Sequence, residues 1–363
     1  MTDCALFSKL FISCQTRNED LHEFFCHENQ GCPPSLSHNG ELLLPSKKSD
    51  LLDCLAPFSA SIPPSLNVIV LDGAAVVNML KPTPDIKTFG DYITHIFIPY
   101  IKGQLRNVER IDVIVFEEYV DNSLKRLTRT KRGKGVRRRV ETSTLIPTKG
   151  WQELLRVDGN KNELFGVIAE CVSQVEFAEG KEVVITKGPQ VLSSPASCNT
   201  VNLTPSNREE ADTRMLVHVA DAARARHKRI AVCKVDTDVI VICIGMFHLL
   251  PQIEFRVIFG SGEHLRSYSI HDITHALGPH KSRSLPMFHA FTGCDTVSCF
   301  SRNGKKTAWN TWIVYNDVTT AFMELLQRPA TIGDRTLQKL ERYVVLLYHR
   351  TSTKTSVNEA RNR

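Results

Sequence analysis

From residue 67 onward, short apolar runs alternate with longer stretches of mixed polarity. Residues 67–71 (NVIVL) form the first run and stop at Asp72-Gly73; residues 111–116 form the second and stop at Glu117-Glu118. Residues 182–186 and 230–235 repeat the pattern, the latter just before Asp236 and Asp238. Uninterrupted Val/Ile-rich runs of this length predict strands buried on both faces. Residues 254–259 and 267–270 predict two more short strands. Between the strands the apolar period lengthens. Met215, Leu216, Val219, Ala222 and Ala223 recur at helical spacing. Glu209, Glu210 and Asp212 stand at the N-terminal end of that helix, where the dipole favours negative charge. Further helices are predicted over 88–105, 162–175, 271–277, 285–293, from 308, and over 317–327 and 338–348. Residues 188–206, rich in Ser, Pro and Asn, predict a loop.

Strands alternating with helices predict an α/β fold with a mostly parallel central sheet and helices on both faces, a three-layer α/β/α domain. The expected boundaries are an N-terminal extension over 1–60, the domain over 61–310, and C-terminal helices with a polar tail over 311–363. The Pro-containing stretch 61–65 (SIPPS) marks the first boundary.

Composition changes this picture in two places. The 11 cysteines have no regular spacing, and no secretory signal or membrane-length apolar run is apparent. An intracellular, reduced protein with no membrane partner is expected, its thiols free. The net charge of +6 is concentrated: nine of the fifteen residues from Lys125 to Arg139 are Lys or Arg. Like charges repel unless an anion lies against them, and a phosphate backbone is a natural counter-charge. A solvated loop or a nuclear-import signal is the plainer alternative for residues 121–139.

The acids carry the candidate chemistry. Asp72, Glu117, and the pair Asp236 and Asp238 each follow an apolar strand; Glu210 and Asp212 open a helix; Asp295 follows a later helix. In open α/β sheets, ligands gather at the C-terminal ends of strands. Seven carboxylates converging there would need cations, and oxygen ligands favour Mg²⁺ or Mn²⁺ over Zn²⁺. Each acid also has a structural alternative: Asp72 before Gly73 as a turn, Glu117 as a structural or solvated acid with Glu118 able to serve instead, Asp236 and Asp238 as a strand-end turn, Glu210 and Asp212 as helix-start acids, Asp295 as a helix cap.

In their order these residues resemble the FEN/XPG/Asteroid group of PIN-like nucleases, which are metal-dependent, structure-specific 5′ nucleases and their relatives. The matching elements are VLDG at Val70–Gly73, VFEE at Val115–Glu118, EEAD at Glu209–Asp212, DTD at Asp236–Asp238 and TGCDT at Thr292–Thr296. The strings HENQ, KRGKG, EEADTR, DTDV and TGCDT are also similar to a multi-copy animal branch of PIN-like proteins. The resemblance implies that Asp72, Glu117, Glu210, Asp212, Asp236, Asp238 and Asp295 share two Mg²⁺ ions. Glu117 stands where the group has Asp, and Glu118 where it has Gly. Lys125 and Arg132 correspond to the basic pair that steers the scissile phosphate. Residues 298–309 are similar in placement to a backbone-holding element that often binds K⁺. The implied activity is phosphodiester hydrolysis in nucleic acid, DNA in particular, with flap or 5′ ends as substrates and the nucleus as location. The alternative is a catalytically weak or inactive module that binds nucleic acid or protein.

Overall fold

The computed structural model describes residues 8–9, 11–13, 15, 32–58, 65–114, 135–147, 150–204, 211–233, 236–259, 265–327 and 331–361. Glu117, Lys125, Arg132 and Glu210 lie outside the described residues. Among the described residues the strands are β1 (Ser37–His38), β2 (Glu41–Leu42), β3 (Val68–Asp72), β4 (Arg110–Ile114), β5 (Glu182–Lys187), β6 (Gln190–Ser194), β7 (Arg229–Cys233), β8 (Glu254–Phe259) and β9 (Arg266–Ser269). The chain divides into two compact units: Leu55–Leu285, and Met1–Cys54 together with Pro286–Arg363.

The larger unit holds a seven-stranded sheet in the order β6-β5-β4-β3-β7-β8-β9. β3, β4, β5, β7 and β8 are parallel; β6 and β9 close the two edges antiparallel. It is the mostly parallel α/β sheet expected from the apolar runs. Every residue of β3 and of β4 is buried. The two sheet faces separate by the period of two. Ile69, Leu71, Ile111, Val113, Val183 and Ile185 join one apolar cluster with Tyr92, Phe97, Trp151, Phe165 and Ile168. Those partners come from the helical stretches between Phe89 and Leu105 and from the helices Trp151–Leu155 and Asp158–Ser173. The opposite face carries Val184, packed with Val191, Leu203 and Val217.

Asp112 also points to that opposite face and is wholly buried there. Its oxygens accept from Arg110 Nε at 2.6 Å and Nη2 at 2.9 Å. Arg110 Nη2 also donates to Asp221 Oδ2 at 2.9 Å. His218 Nδ1 lies 2.7 Å from Asp112 Oδ2. A carboxylate only accepts, so the proton of this bond belongs to Nδ1. Burial pushes the Asp112 carboxyl up, but the Arg110 guanidinium and the His218 ring outweigh it and hold it below the usual range. His218 and Asp221 lie on the helix Ala211–Arg224, so this network ties that helix to β4.

Three elements differ from expectation. Residues 190–194, expected as loop, form edge strand β6, where Val191 and Leu192 pack inward against β5. The short run lacks the apolar continuity of a central strand because only an edge is needed. Gly73, after which no helix is expected before residue 88, opens the helix Gly73–Met79. The expected helices at 271–277 and 285–293 lie within one helical stretch, Ile270–Phe291, broken at Gly278 with φ 75°.

In the smaller unit, the helices Lys305–Val314, Val318–Gln327 and Asp334–Tyr348 surround an aromatic core. Phe288 stacks on Trp312 at 4.5 Å between ring centroids, and Phe322 meets Phe288, Trp312 and Tyr343 edge-on. The stretch before residue 54 is tied to this unit. Cys299 N donates to Leu43 O and Ser301 N to Ser35 O, both at 2.8 Å, and Lys306 pairs with Asp53 at 2.8 Å.

Candidate metal centre

The strand order creates a switch point. β4 and β5 lie to one side of β3; the chain then returns to lay β7 and β8 on the other. The crevice beyond the C-terminal ends of two such strands is where open α/β sheets bind ligands, because the connections leave it uncovered. Leu71 of β3 is paired with Cys233 of β7. Asp72 is the next residue on one side, and Asp236 follows three residues after Cys233 on the other.

Asp72 is nearly buried, and its Oδ1 accepts from Ala74 N at 2.9 Å and Ala75 N at 3.1 Å. It is the N-cap of Gly73–Met79, in extended backbone as a cap requires. Asp72 therefore caps a helix, where its structural alternative was a turn. Asp236 caps the helix Thr237–Met246 in the same way, accepting from Asp238 N at 3.2 Å. Asp238 lies in the first turn of that helix. Both carboxylates thus stand in the positive field of a helix N-terminus, which lowers the cost of holding two like charges together.

Asp295 is placed by the TGCDT segment. Gly293 has φ 100°, and a Cβ there would come within 2.4 Å of Cys299 Cβ and 2.8 Å of its backbone nitrogen. Only glycine fits this turn. Thr292 Oγ1 donates to Phe288 O at 2.7 Å, closing the preceding helix, and Cys294 N donates to Val297 O at 3.1 Å. Lys305 lies under the turn, 2% exposed, its Nζ 2.6 Å from His289 O and 2.8 Å from Thr292 Oγ1. A cation against the last carbonyls of a helix is favourable. Asp295 itself is exposed and pairs with Lys48 Nζ at 2.9 Å.

Asp236, Asp238 and Asp295 each offer a carboxylate oxygen, and the three oxygens lie within 4.8 Å of one another. Two of the residues are half-buried and one is exposed. Opposite ligands of an octahedral Mg²⁺ are about 4.2 Å apart, so small side-chain rotations bring these oxygens to a common ion. The donor set is all oxygen, which suits a hard divalent cation. This cluster can hold one such ion.

Asp72 and Asp212 are not members of that group of three. Asp212 lies in the first turn of Ala211–Arg224, and its charge is one cause, after burial, of the raised pKa of the Cys243 thiol on Thr237–Met246. Sequence reasoning missed Lys48 and the role of Lys305. Lys48 carries no local signal, since its partner is 247 residues away. Lys305 belongs to a Gly-Lys-Lys string that reads as a phosphate-facing element, yet its ammonium is turned inward and Lys306 is paired with Asp53.

No protein-family model matches the chain, and no curated protein matches it. Among the described residues no helix is long and apolar enough to cross a membrane. Cys32, Cys54, Cys171, Cys198, Cys233, Cys243, Cys294 and Cys299 are all free thiols.

Proposed function

We propose that this protein hydrolyses phosphodiester bonds in nucleic acid with the help of a divalent cation, in the manner of the FEN/XPG/Asteroid-like PIN nucleases. The observation that carries the proposal is the approach of Asp236, Asp238 and Asp295 to within 4.8 Å of one another. The switch point between β3 and β7 supports it, because Asp72 and Asp236 flank the crevice where an α/β sheet takes its ligand.

In this proposal Asp236, Asp238 and Asp295 hold one Mg²⁺ or Mn²⁺. Asp72, Glu117, Glu210 and Asp212 hold a second, and a K⁺ near residues 298–309 accompanies the nucleic-acid backbone. Ions so held would polarise the scissile phosphate and supply a nucleophile from water near neutral pH. Lys125 and Arg132 offset the charge that develops on the phosphate. DNA with flap or 5′ ends is the proposed substrate, and the nucleus the proposed location.

Lys48 favours a second function. Its ammonium already lies 2.9 Å from Asp295, as an internal counter-ion would in a module that binds nucleic acid without cutting it. A cleavage assay separates the two. Flap, hairpin and single-stranded DNA and RNA are incubated with the protein in Mg²⁺ and in Mn²⁺, with Asp236→Ala beside it. Metal-dependent cleavage that falls by about 100-fold or more in the variant is expected. A well-folded protein that binds these substrates and cuts none in either metal would leave the binding module standing.

A further inference from the structure

The basic run ends in three consecutive arginines, Arg137, Arg138 and Arg139, which composition makes equivalent. The structure makes them different. Asn160, at the start of the helix Asp158–Ser173, has no exposed surface. Its amide makes four hydrogen bonds. Nδ2 donates to Val136 O at 2.9 Å and to Leu154 O at 3.2 Å. Oδ1 accepts from Arg138 N at 2.8 Å and from Arg137 Nη1 at 3.0 Å. The amide's two donors and its oxygen are thus all engaged, three of the four bonds being to residues 136–138.

The neighbours complete the clamp. Glu163 accepts from Val140 N at 2.8 Å and pairs with the Arg137 guanidinium. That pairing, together with the Val140 N–H, holds the Glu163 carboxyl below its ordinary range. Val140 is buried. A Cβ on Gly135 would come within 2.7 Å of Glu153 O and 2.6 Å of Val157 Cγ2, so the backbone lies close against the helix before. Both Arg137 and Arg138 are exposed, and they differ in their partners: Arg137 is held by Asn160 and Glu163, whereas no acidic group pairs with Arg138 among the described residues. Arg139 is exposed and paired with Glu141 at 2.8 Å.

We infer that Arg138 is a contact to the phosphate backbone of a nucleic acid, and that Asn160 is the positioning residue that presents it. The inference rests on the nucleic-acid function proposed above and assigns that function a specific residue. Arg137, though adjacent and of equal charge, is a structural brace and contributes no phosphate contact. Arg138→Ala and Arg137→Ala therefore remove the same charge with different results.

The test is the salt dependence of binding to a labelled duplex oligonucleotide, in EDTA so that nothing is cut. Each phosphate contact to duplex DNA contributes about 0.9 to the slope of log K against log salt. Arg138→Ala is expected to lower the slope by about 0.9, and Arg138→Lys to keep it. Arg137→Ala is expected to leave the slope unchanged while lowering the melting temperature. Asn160→Ala is expected to lower the slope as Arg138→Ala does, and the double variant Asn160→Ala with Arg138→Ala to lower it no further. Equal slopes for Arg137→Ala and Arg138→Ala would overturn the inference alone, as diffuse electrostatics. Absence of binding by the unaltered chain would overturn both the inference and the function it rests on.

Discussion

Two assemblies of charged side chains in this protein follow opposite rules. Beneath the sheet, Arg110, Asp112, Asp221 and His218 are buried, and opposite charges meet at 2.6 to 2.9 Å. Asp236, Asp238 and Asp295 share one sign and are half-buried or exposed. The first assembly sets Arg110 against two carboxylates, as burial demands, because an isolated ion in a low dielectric is far too costly. The second keeps like charges close where solvent reaches them. Such an arrangement persists when helix N-termini and a lysine offset the repulsion, and it becomes favourable when a cation arrives. Opposite charges paired in the interior make a structural network; carboxylates of one sign held close where solvent reaches them make a cluster that can take a cation.

The difference can be broken first at Asp112. Asp112→Ala leaves the Arg110 guanidinium buried beside a single remaining carboxylate, and is expected to cost about 3–5 kcal/mol in chemical denaturation. A cost below about 1 kcal/mol would mean the network is incidental. The pH dependence has a definite sign. The folded Asp112 carboxyl titrates below its unfolded value of about 3.9, so its contribution is full above that pH and fades as pH falls through the folded value. The acid limb of the stability curve should lose this component in the variant.

Next in size is the edge itself. Asn keeps the capping geometry, so Asp236→Asn with Asp238→Asn should leave metal-free stability unchanged or slightly raised. The unaltered protein should gain about 2.7 kcal/mol of stability at a Mn²⁺ concentration 100 times its Kd, and the double variant should gain none. An equal thermal shift by Mn²⁺ in both proteins would show that these carboxylates hold no ion.

Smallest is Lys48. The pair with Asp295 is exposed on one side, and such pairs contribute between about 0 and 1 kcal/mol. Lys48→Met should therefore barely move stability but tighten Mn²⁺ binding, since a competing cation is gone. Weaker Mn²⁺ binding in calorimetry would assign Lys48 a supporting role at the site instead.

Much of the fold was legible in local pattern, and the failures share a cause. Val68–Asp72 and Arg110–Ile114 were visible because strands buried on both faces tolerate almost no polar residue. Edge strand β6 was not, because an edge needs only Val191 and Leu192 inward and can carry Ser and Gln elsewhere. At the site, Asp236, Asp238 and Asp295 stood out as acids after apolar or helical segments. Asp72 stood out equally, and its Oδ1, like that of Asp236, is engaged by backbone N–H at a helix start. Sequence alone does not separate a cap from a ligand, because both need a short acid at a helix start. The acid at 112 was hidden inside an apolar run: its partner Arg110 is two residues away, but His218, which completes its bonding, lies 106 residues away.

The amino-acid order by itself determined the central strands, most of the helices and the acids that follow them. Those depend on near neighbours, on burial of both faces and on the charge preferences of helix ends. Tertiary structure alone decided that β7 lies beside β3, which sets Asp236 across the crevice from Asp72. It alone decided which of three adjacent, exposed arginines is held by Asn160 and Glu163, because a side chain's partner is chosen by residues remote in the chain.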